Sequence, residues 1–342
     1  MPLTYLDVAA QAVQARHRIR SHIYETPLIP SRTNAHRRDG TRLLLKAENL
    51  QLTGSFKLRG AVAKMTAPGT AGGDPDDAPL VTASSGNHGI GAAHAARALG
   101  RRLTVVLPET VVPAKLRRIE AYGARVVLHG AQAGLAERHA RGLAAASSSR
   151  GCVYVSPYND ADVVAGQASV GLELLEQCGG RGVDNVFVAM GGGGLVGGVG
   201  SVCRAFSPRT RVHGVAAARS MALAASMAAG RVVDTEHLPT LADAVAGGLD
   251  DDAITLPLAA AVVDRVVVCD EDEIAAALRA VVLRENMIVE GAAALAYAGF
   301  VKLEAELAGQ TSVVVLCGAN CDHDVVAKTV HGQRLHEMQH PQ

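Results

Sequence analysis

Seven apolar runs recur along the chain: "RLLLKAE" from Arg42, "LTVVLPE" from Leu103, "ARVVLHG" from Ala124, "NVFVAMG" from Asn185, "RVHGVAA" from Arg211, "DRVVVCD" from Asp264 and "TSVVVLCG" from Thr311. Each is short, rich in Val and Leu, and closed by a polar residue, a turn residue or an Ala-rich stretch. Unbroken apolar runs of this length read as strands buried on both faces, and the Ala-rich segments between them have helical spacing. The alternation predicts an α/β chain built on mostly parallel sheet. Two polar breaks interrupt it, "TAPGTAGGDPDDAP" from Thr66 to Pro79 and "AAASSSRG" from Ala144 to Gly151, and the tail from His331 to Gln342 is polar and expected to fray.

With 342 residues the chain has room for about two domains. Lys+Arg and Asp+Glu both number 33, so the basic excess of a nucleic-acid or anionic-membrane binder is missing. Aromatic residues make up 3% and Trp is absent, which leaves few platforms for stacking bases or anchoring in a bilayer. The start, "MPLTYLDVAAQAVQARHRIR", shows neither a signal peptide nor a membrane anchor, and a cytoplasmic protein is expected. Cys152, Cys178, Cys203, Cys269, Cys317 and Cys321 lack paired metal-ligand spacing and read as free thiols.

Three loops follow strand-like runs, and in open α/β sheets ligands gather at the carboxyl ends of strands. In "TASSGNHGIGAA", Ser84, Ser85, Gly86, Asn87 and His88 are set to open a helix and aim backbone N–H groups at a carboxylate; capping alone is the other reading of the serines. "MGGGGLVGGVG" carries a strand into Gly191, Gly192, Gly193 and Gly194. Consecutive glycines cost backbone entropy and mark close approach to a ligand, most often phosphate. "VVVLCGANCD" ends a strand at Cys317, with Cys321 a helical turn further on as plain packing. Gly192, Gly194 and Gly197 also fit a dinucleotide loop. The acidic residue expected roughly 20 positions on is missing, and Ala216, Ala217, Ala218 and Arg219 stand after the next strand, so only a phosphorylated dinucleotide is left as a rival.

"LTGSFKLRGA" sets Lys57 among small and apolar neighbours. With Ser55 as N-cap, "FKLRGAVAKM" reads as a helix with Lys57 in its first turn, where the helix dipole disfavours a protonated amine. A partly desolvated lysine there deprotonates readily, as Schiff-base chemistry requires, whereas a solvated surface lysine is the bland alternative. Lysine, phosphate cradle and strand-end polar group together describe a pyridoxal phosphate site.

Taken in order, "LKAENLQLTGSFKLRGA", "SSGNHG", "SPYNDADVVAGQ", "GGGGLVGGV", "LPTLADAVAGG", "ENMIVEGAAA" and "VVVLCGAN" resemble the motifs of the threonine/serine dehydratase and serine racemase branch of the fold-type-II pyridoxal phosphate enzymes. The resemblance runs from Tyr24 to Asn320. It implies a tryptophan synthase β-like α/β fold of two open, twisted, mostly parallel sheets with helices on both faces. Residues 1–69 and 158–342 would form a large cofactor-binding domain and 70–157 a small inserted one, with no C-terminal regulatory domain, in a homodimer that meets neither nucleic acid nor membrane.

The same resemblance implies pyridoxal 5'-phosphate carried by Lys57, Phe56 beside its ring, Asn87 on its ring hydroxyl oxygen and the backbone from Gly191 through Gly192, Gly193 and Gly194 to Leu195 on its phosphate. Cys317 stands where many relatives have a serine facing the ring nitrogen. Ser84, Gly86 and His88 would line the substrate carboxylate, with Gly247 near the side-chain end. The activity implied is dehydration of L-threonine or L-serine to 2-oxobutyrate or pyruvate and ammonia. Rivals are serine racemase, with Ser85 as the second proton-transfer group, a dehydratase of hydroxyaspartate or a hydroxyectoine catabolite, a β-replacement transferase, and a silent ligand-binding relative. Cation-activated members carry an acidic residue after the strand equivalent to "RVHGVAAA"; here Ala216, Ser220 and Ala222 stand nearby, so no magnesium or calcium site is expected.

Overall fold

The computed structural model describes residues 3–33, 39–70, 78–146, 152–179 and 182–332. The centres of both predicted breaks, 71–77 and 147–151, and the tail from 333 lie outside the described residues. The strands are β1 (Leu28–Pro30), β2 (Arg42–Lys46), β3 (Leu80–Ala83), β4 (Leu103–Leu107), β5 (Arg125–Leu128), β6 (Val153–Tyr154), β7 (Asn185–Ala189), β8 (Arg211–Ala217), β9 (Arg265–Cys269) and β10 (Thr311–Val315). The helices are α1 (Tyr5–Ile19), α2 (Lys57–Met65), α3 (Asn87–Ala98), α4 (Pro113–Glu120), α5 (Ala133–Ala146), α6 (Ala161–Cys178), α7 (Gly194–Phe206), α8 (Ala222–Ala229), α9 (Thr255–Val262), α10 (Glu271–Arg284), α11 (Gly291–Leu303) and α12 (His323–Val330).

All seven apolar runs are strands. They divide between a six-stranded sheet in the order β1-β2-β10-β7-β8-β9 and a four-stranded sheet in the order β5-β4-β3-β6. Every pairing is parallel except β1 with β2. The unbroken apolar pattern has a simple cause: every residue of the central strands β7 and β10 is buried, so neither face has polar positions. In parallel sheet the chain leaves each strand at the same edge, which puts the loops after β7 and β10 side by side.

The two sheets meet along a seam of helices. Leu58, Ala61, Val62 and Met65 of α2 share a core with Leu80 of β3, Ile90 of α3 and Leu103 and Val105 of β4. On its other side α2 packs against α6, an 18-residue helix whose N-cap, Asp160, accepts from the N–H groups of Asp162 and Val163. The first residue of α2 therefore sits where the two layers face each other. No described helix is long and apolar enough to cross a membrane.

Candidate active site

Helix α2 begins at Lys57 itself, and Ser55 does not cap it: the N-cap position is Phe56, with no side-chain bond to the helix. The stretch before the helix is spliced onto the loop after β10. Ser55 pairs with Gly318 in an antiparallel bridge, Phe56 N donates to Cys317 O at 3.1 Å, and Ala319 N donates to Gly54 O at 2.8 Å. That pairing keeps Ser55 in the bridge and leaves its buried hydroxyl without a partner. Lys57 is half-buried; its Nζ donates to Pro157 O at 2.7 Å and lies 5.2 Å from the centre of the Phe56 ring. Burial lowers its pKa to about 8, a shift that Cys317 and Glu290 partly oppose.

Pro157 leads directly into Tyr158, and Tyr158 supports the glycine turn. A methyl group on Gly192 would lie 2.4 Å from the Tyr158 ring, and Thr255 Oγ1 donates to Gly192 O at 2.6 Å. Gly193 has φ +88°, a left-handed conformation that side chains other than glycine strain to adopt, and α7 starts at the next residue with no side-chain cap. Leu195 is buried in the core behind the turn. Among the described residues no hydrogen bond uses the N–H of Gly191, Gly192 or Gly193. Free amides at the start of a 13-residue helix have the geometry that suits an anion such as phosphate.

The loop after β3 contributes Asn87 as the first residue of α3. Ser84 and Ser85 are partly exposed, and neither caps the helix, whose N-cap is Gly86; Ser84 Oγ instead accepts from Gly86 N at 3.2 Å in a local turn. His88, the second residue of α3, can face a substrate carboxylate only through its backbone. Its ring is buried with Nε2 2.9 Å from Val155 O, and burial, followed by the charge of Lys57, lowers its pKa to about 3. The imidazole is a neutral packing group, and only its backbone stays with the loop. Gly247 is exposed at φ +140°, its N–H bonded to Ser220 Oγ at 3.2 Å.

Cys317 is buried beside Phe56, and burial, reinforced by Glu290, holds its thiol well above the ordinary range. It is a neutral group. The segment from 318 to 322 is not helical, so Cys321 is not a turn further along a helix; its Sγ lies 3.4 Å from Ala319 O.

Sequence reasoning missed one group. Glu290, immediately before α11, is 2% exposed, and its carboxylate accepts from Asn87 Nδ2 at 2.8 and 2.9 Å and from Asn320 N at 3.1 Å. A glutamate before an Ala-rich helix reads as an ordinary helix start, and the 203 residues separating it from Asn87 hide the contact.

A desolvated amine, a glycine turn with free amides at a helix start, a buried carboxamide and a neutral thiol converge here, and they fit pyridoxal phosphate. Comparison with known families agrees: residues 19–318 match the family described as pyridoxal-phosphate dependent enzymes, to which the chain belongs. An L-threonine ammonia-lyase of Geobacter sulfurreducens is 36% identical, over 93% of this chain and 76% of its own length. Among solved structures, a T.th. threonine deaminase superposes with a TM-score of 0.81 at 36% identity, covering 92% of this chain and 98% of its own. Maize serine racemase gives 0.83 at 27% identity, covering 97% and 99%.

Proposed function

We propose that the protein is a pyridoxal phosphate-dependent ammonia-lyase that converts L-threonine or L-serine to 2-oxobutyrate or pyruvate, releasing ammonia. The observation that carries the reading is the Lys57 amine, desolvated, with a pKa lowered to about 8 and bonded to Pro157 O, whose neighbour Tyr158 packs on the glycine turn. When bound, the cofactor supplies an electron sink for bonds at the substrate α-carbon. Lys57 Nζ holds the cofactor, then takes the α-proton. Asn87 serves the ring hydroxyl, Phe56 packs beside the ring, and the backbone from Gly191 to Leu195 holds the phosphate. Ser84, Gly86 and the start of α3 receive the substrate carboxylate, with Gly247 towards its side chain. Cys317, a neutral thiol, would stand at the ring nitrogen, where it would lack the negative charge with which a carboxylate keeps that nitrogen protonated.

A slow racemase activity is the second reading. Ser85 is partly exposed in the loop that carries Asn87, and the likeness to maize serine racemase supports a second proton-transfer group there. The reading also takes 70–157 as an inserted domain, which the separate four-stranded sheet supports, and the enzyme as a cytoplasmic homodimer that needs no magnesium or calcium. The test is 2-oxo acid release from a panel of β-hydroxy amino acids, with borohydride reduction followed by mass spectrometry. Threonine and serine should lead the panel, cofactor mass should sit on Lys57, and Lys57→Ala should abolish turnover. Cofactor on Lys46, Lys64 or Lys115, or turnover confined to β-hydroxyaspartate, overturns the assignment.

A further inference from the structure

We propose that Glu290 is a positioning residue for the cofactor: its carboxylate fixes which way the Asn87 carboxamide faces and so keeps one Asn87 N–H directed at the cofactor. The proposal rests on the reading of this cleft as the pyridoxal phosphate site. An asparagine can present either its oxygen or its nitrogen to a given neighbour, and the network decides which. Here the decision propagates from a backbone carbonyl. Thr53 O can only accept, so Asn320 turns its nitrogen towards it, at 2.8 Å. The second N–H of Asn320 then donates to Asn87 Oδ1 at 2.7 Å, which commits the oxygen of Asn87 and turns its nitrogen to Glu290.

Asn87 Nδ2 lies within hydrogen-bond distance of both Glu290 oxygens. The two oxygens of one carboxylate subtend a much narrower angle at that nitrogen than its own two N–H bonds do. A single N–H therefore serves both oxygens, and the other is left for an acceptor such as the cofactor ring hydroxyl oxygen. Above about pH 7, where Glu290 is ionised, its carboxylate enforces this arrangement because it can only accept. A protonated or amidated residue at 290 could donate to Asn87 Oδ1 and let the carboxamide turn over.

The surrounding backbone is shaped to this arrangement. A methyl group on Gly318 would lie 2.7 Å from Glu290 Oε1, and one on Gly54 would lie 2.8 Å from Asn320 Oδ1, so both neighbours of the pair must be glycine. No cation pairs with Glu290 within ion-pair distance among the described residues. The charged or titratable groups that bear on it are Lys57 at the start of α2, Asp243 before α9, and Cys317 and Cys321 after β10.

The test is a mutant cycle on the holoenzyme: Glu290→Gln, with and without Asn87→Ala, read as cofactor released on ultrafiltration and as the visible absorbance spectrum. With Asn87 present, Glu290→Gln is expected to weaken cofactor retention about tenfold and alter the visible band; with Asn87→Ala it adds less than about twofold. Glu290→Asp, which keeps the charge but draws it back from Asn87, should show a smaller loss confined in the same way, and it carries the cycle if the Gln chain does not fold. Equal losses in both backgrounds, or no loss with Asn87 present, overturn the proposal. A parent protein with no cofactor on Lys57 overturns the reading beneath it, whereas a yellow parent matched by an unaltered Glu290→Gln overturns the proposal alone.

Discussion

Two buried charge clusters lie within two residues of each other along α2, and they are built on opposite plans. Around Arg59, Nε and Nη2 donate to Glu48 at 2.8 Å each, Nη1 and Nη2 donate to Glu173 at 2.6 and 2.7 Å, and Lys46 Nζ donates to Glu173 at 2.6 Å. Two cations meet two carboxylates, all of them 2% exposed or less. Around Lys57 the amine meets a carbonyl and Glu290 meets two amides, so no opposite charges touch. Burial is common to both, and pairing is the difference. Pairing opposes the burial: despite the desolvation that would raise it, Arg59 keeps the pKa of Glu173 below its ordinary value, although burial still lowers that of Lys46, which shares Glu173. Unpaired ones drift towards neutrality, Lys57 down to about 8 and Glu290 up to about 7. The first plan anchors the helix that carries the lysine. The second leaves the lysine and its neighbours able to exchange protons.

The comparison breaks most visibly when one partner is removed from each cluster. Arg59→Leu strands Glu48 and Glu173 with one cation between them, and a loss of about 3–5 kcal/mol is expected. Glu290→Gln removes a buried carboxylate that no cation compensates, so stability without cofactor should hold or rise slightly. Urea denaturation of both variants checks this. A Glu290→Gln loss as large as that of Arg59→Leu would mean that the two clusters are held together in the same way.

A second measurement separates them by pH. Between about 4.5 and 7 the folded chain holds a proton on Glu290 that the unfolded chain releases, so this residue makes stability fall as pH rises through that window. Between about 8 and 10.5 the unfolded chain holds a proton on Lys57 that the folded chain does not, so stability rises with pH there. His88 and His213, both lowered by burial, act in the opposite direction to Glu290 on the acid side. The test is therefore the difference between variant and parent profiles in the cofactor-free protein. Glu290→Gln should remove a slope worth about 1–3 kcal/mol below neutrality, and Lys57→Met a similar one above pH 8. Parallel profiles would show that neither group is perturbed.

Much of this was legible in the sequence, for reasons that particular residues make plain. The central strands β7 and β10 show because a strand buried on both faces needs no polar position, and the more exposed β5 and β9 show through their runs of Val. In contrast, β6 has two residues and β1 three, too few to carry a pattern. Lys57, Asn87 and the glycine turn stand out because their local composition is unusual, and the structure brings the loops that carry them together. The partner of Asn87 does not show, because Glu290 acquires its meaning only when β10, α3 and α11 meet. Ser55 misled for the same reason: its sequence neighbours suit a helix cap, and the strand-end loop it pairs with is more than 250 residues away.

The smallest expected effect tests burial with composition held constant. On the rim, Arg141 Nη2 reaches Glu137 at 3.0 Å and Asp250 at 2.8 Å, one guanidinium between two carboxylates as at Arg59, but its side chain is 38% exposed. The contact links α5, beside the four-stranded sheet, to the loop after Gly247, where Asn159 Nδ2 also donates to Asp250 at 3.0 Å and Asp250 N donates to Tyr158 OH at 2.8 Å. Water screens this cluster, and Asn159 and Tyr158 still hold Asp250 when Arg141 is gone. Arg141→Ala should therefore cost about 0.5–1 kcal/mol, and less in high salt, whereas the loss in Arg59→Leu should not respond to salt. Urea midpoints at low and high sodium chloride give both numbers. A salt-independent loss comparable to that of Arg59→Leu would mean that pairing alone, without burial, sets the strength of these clusters.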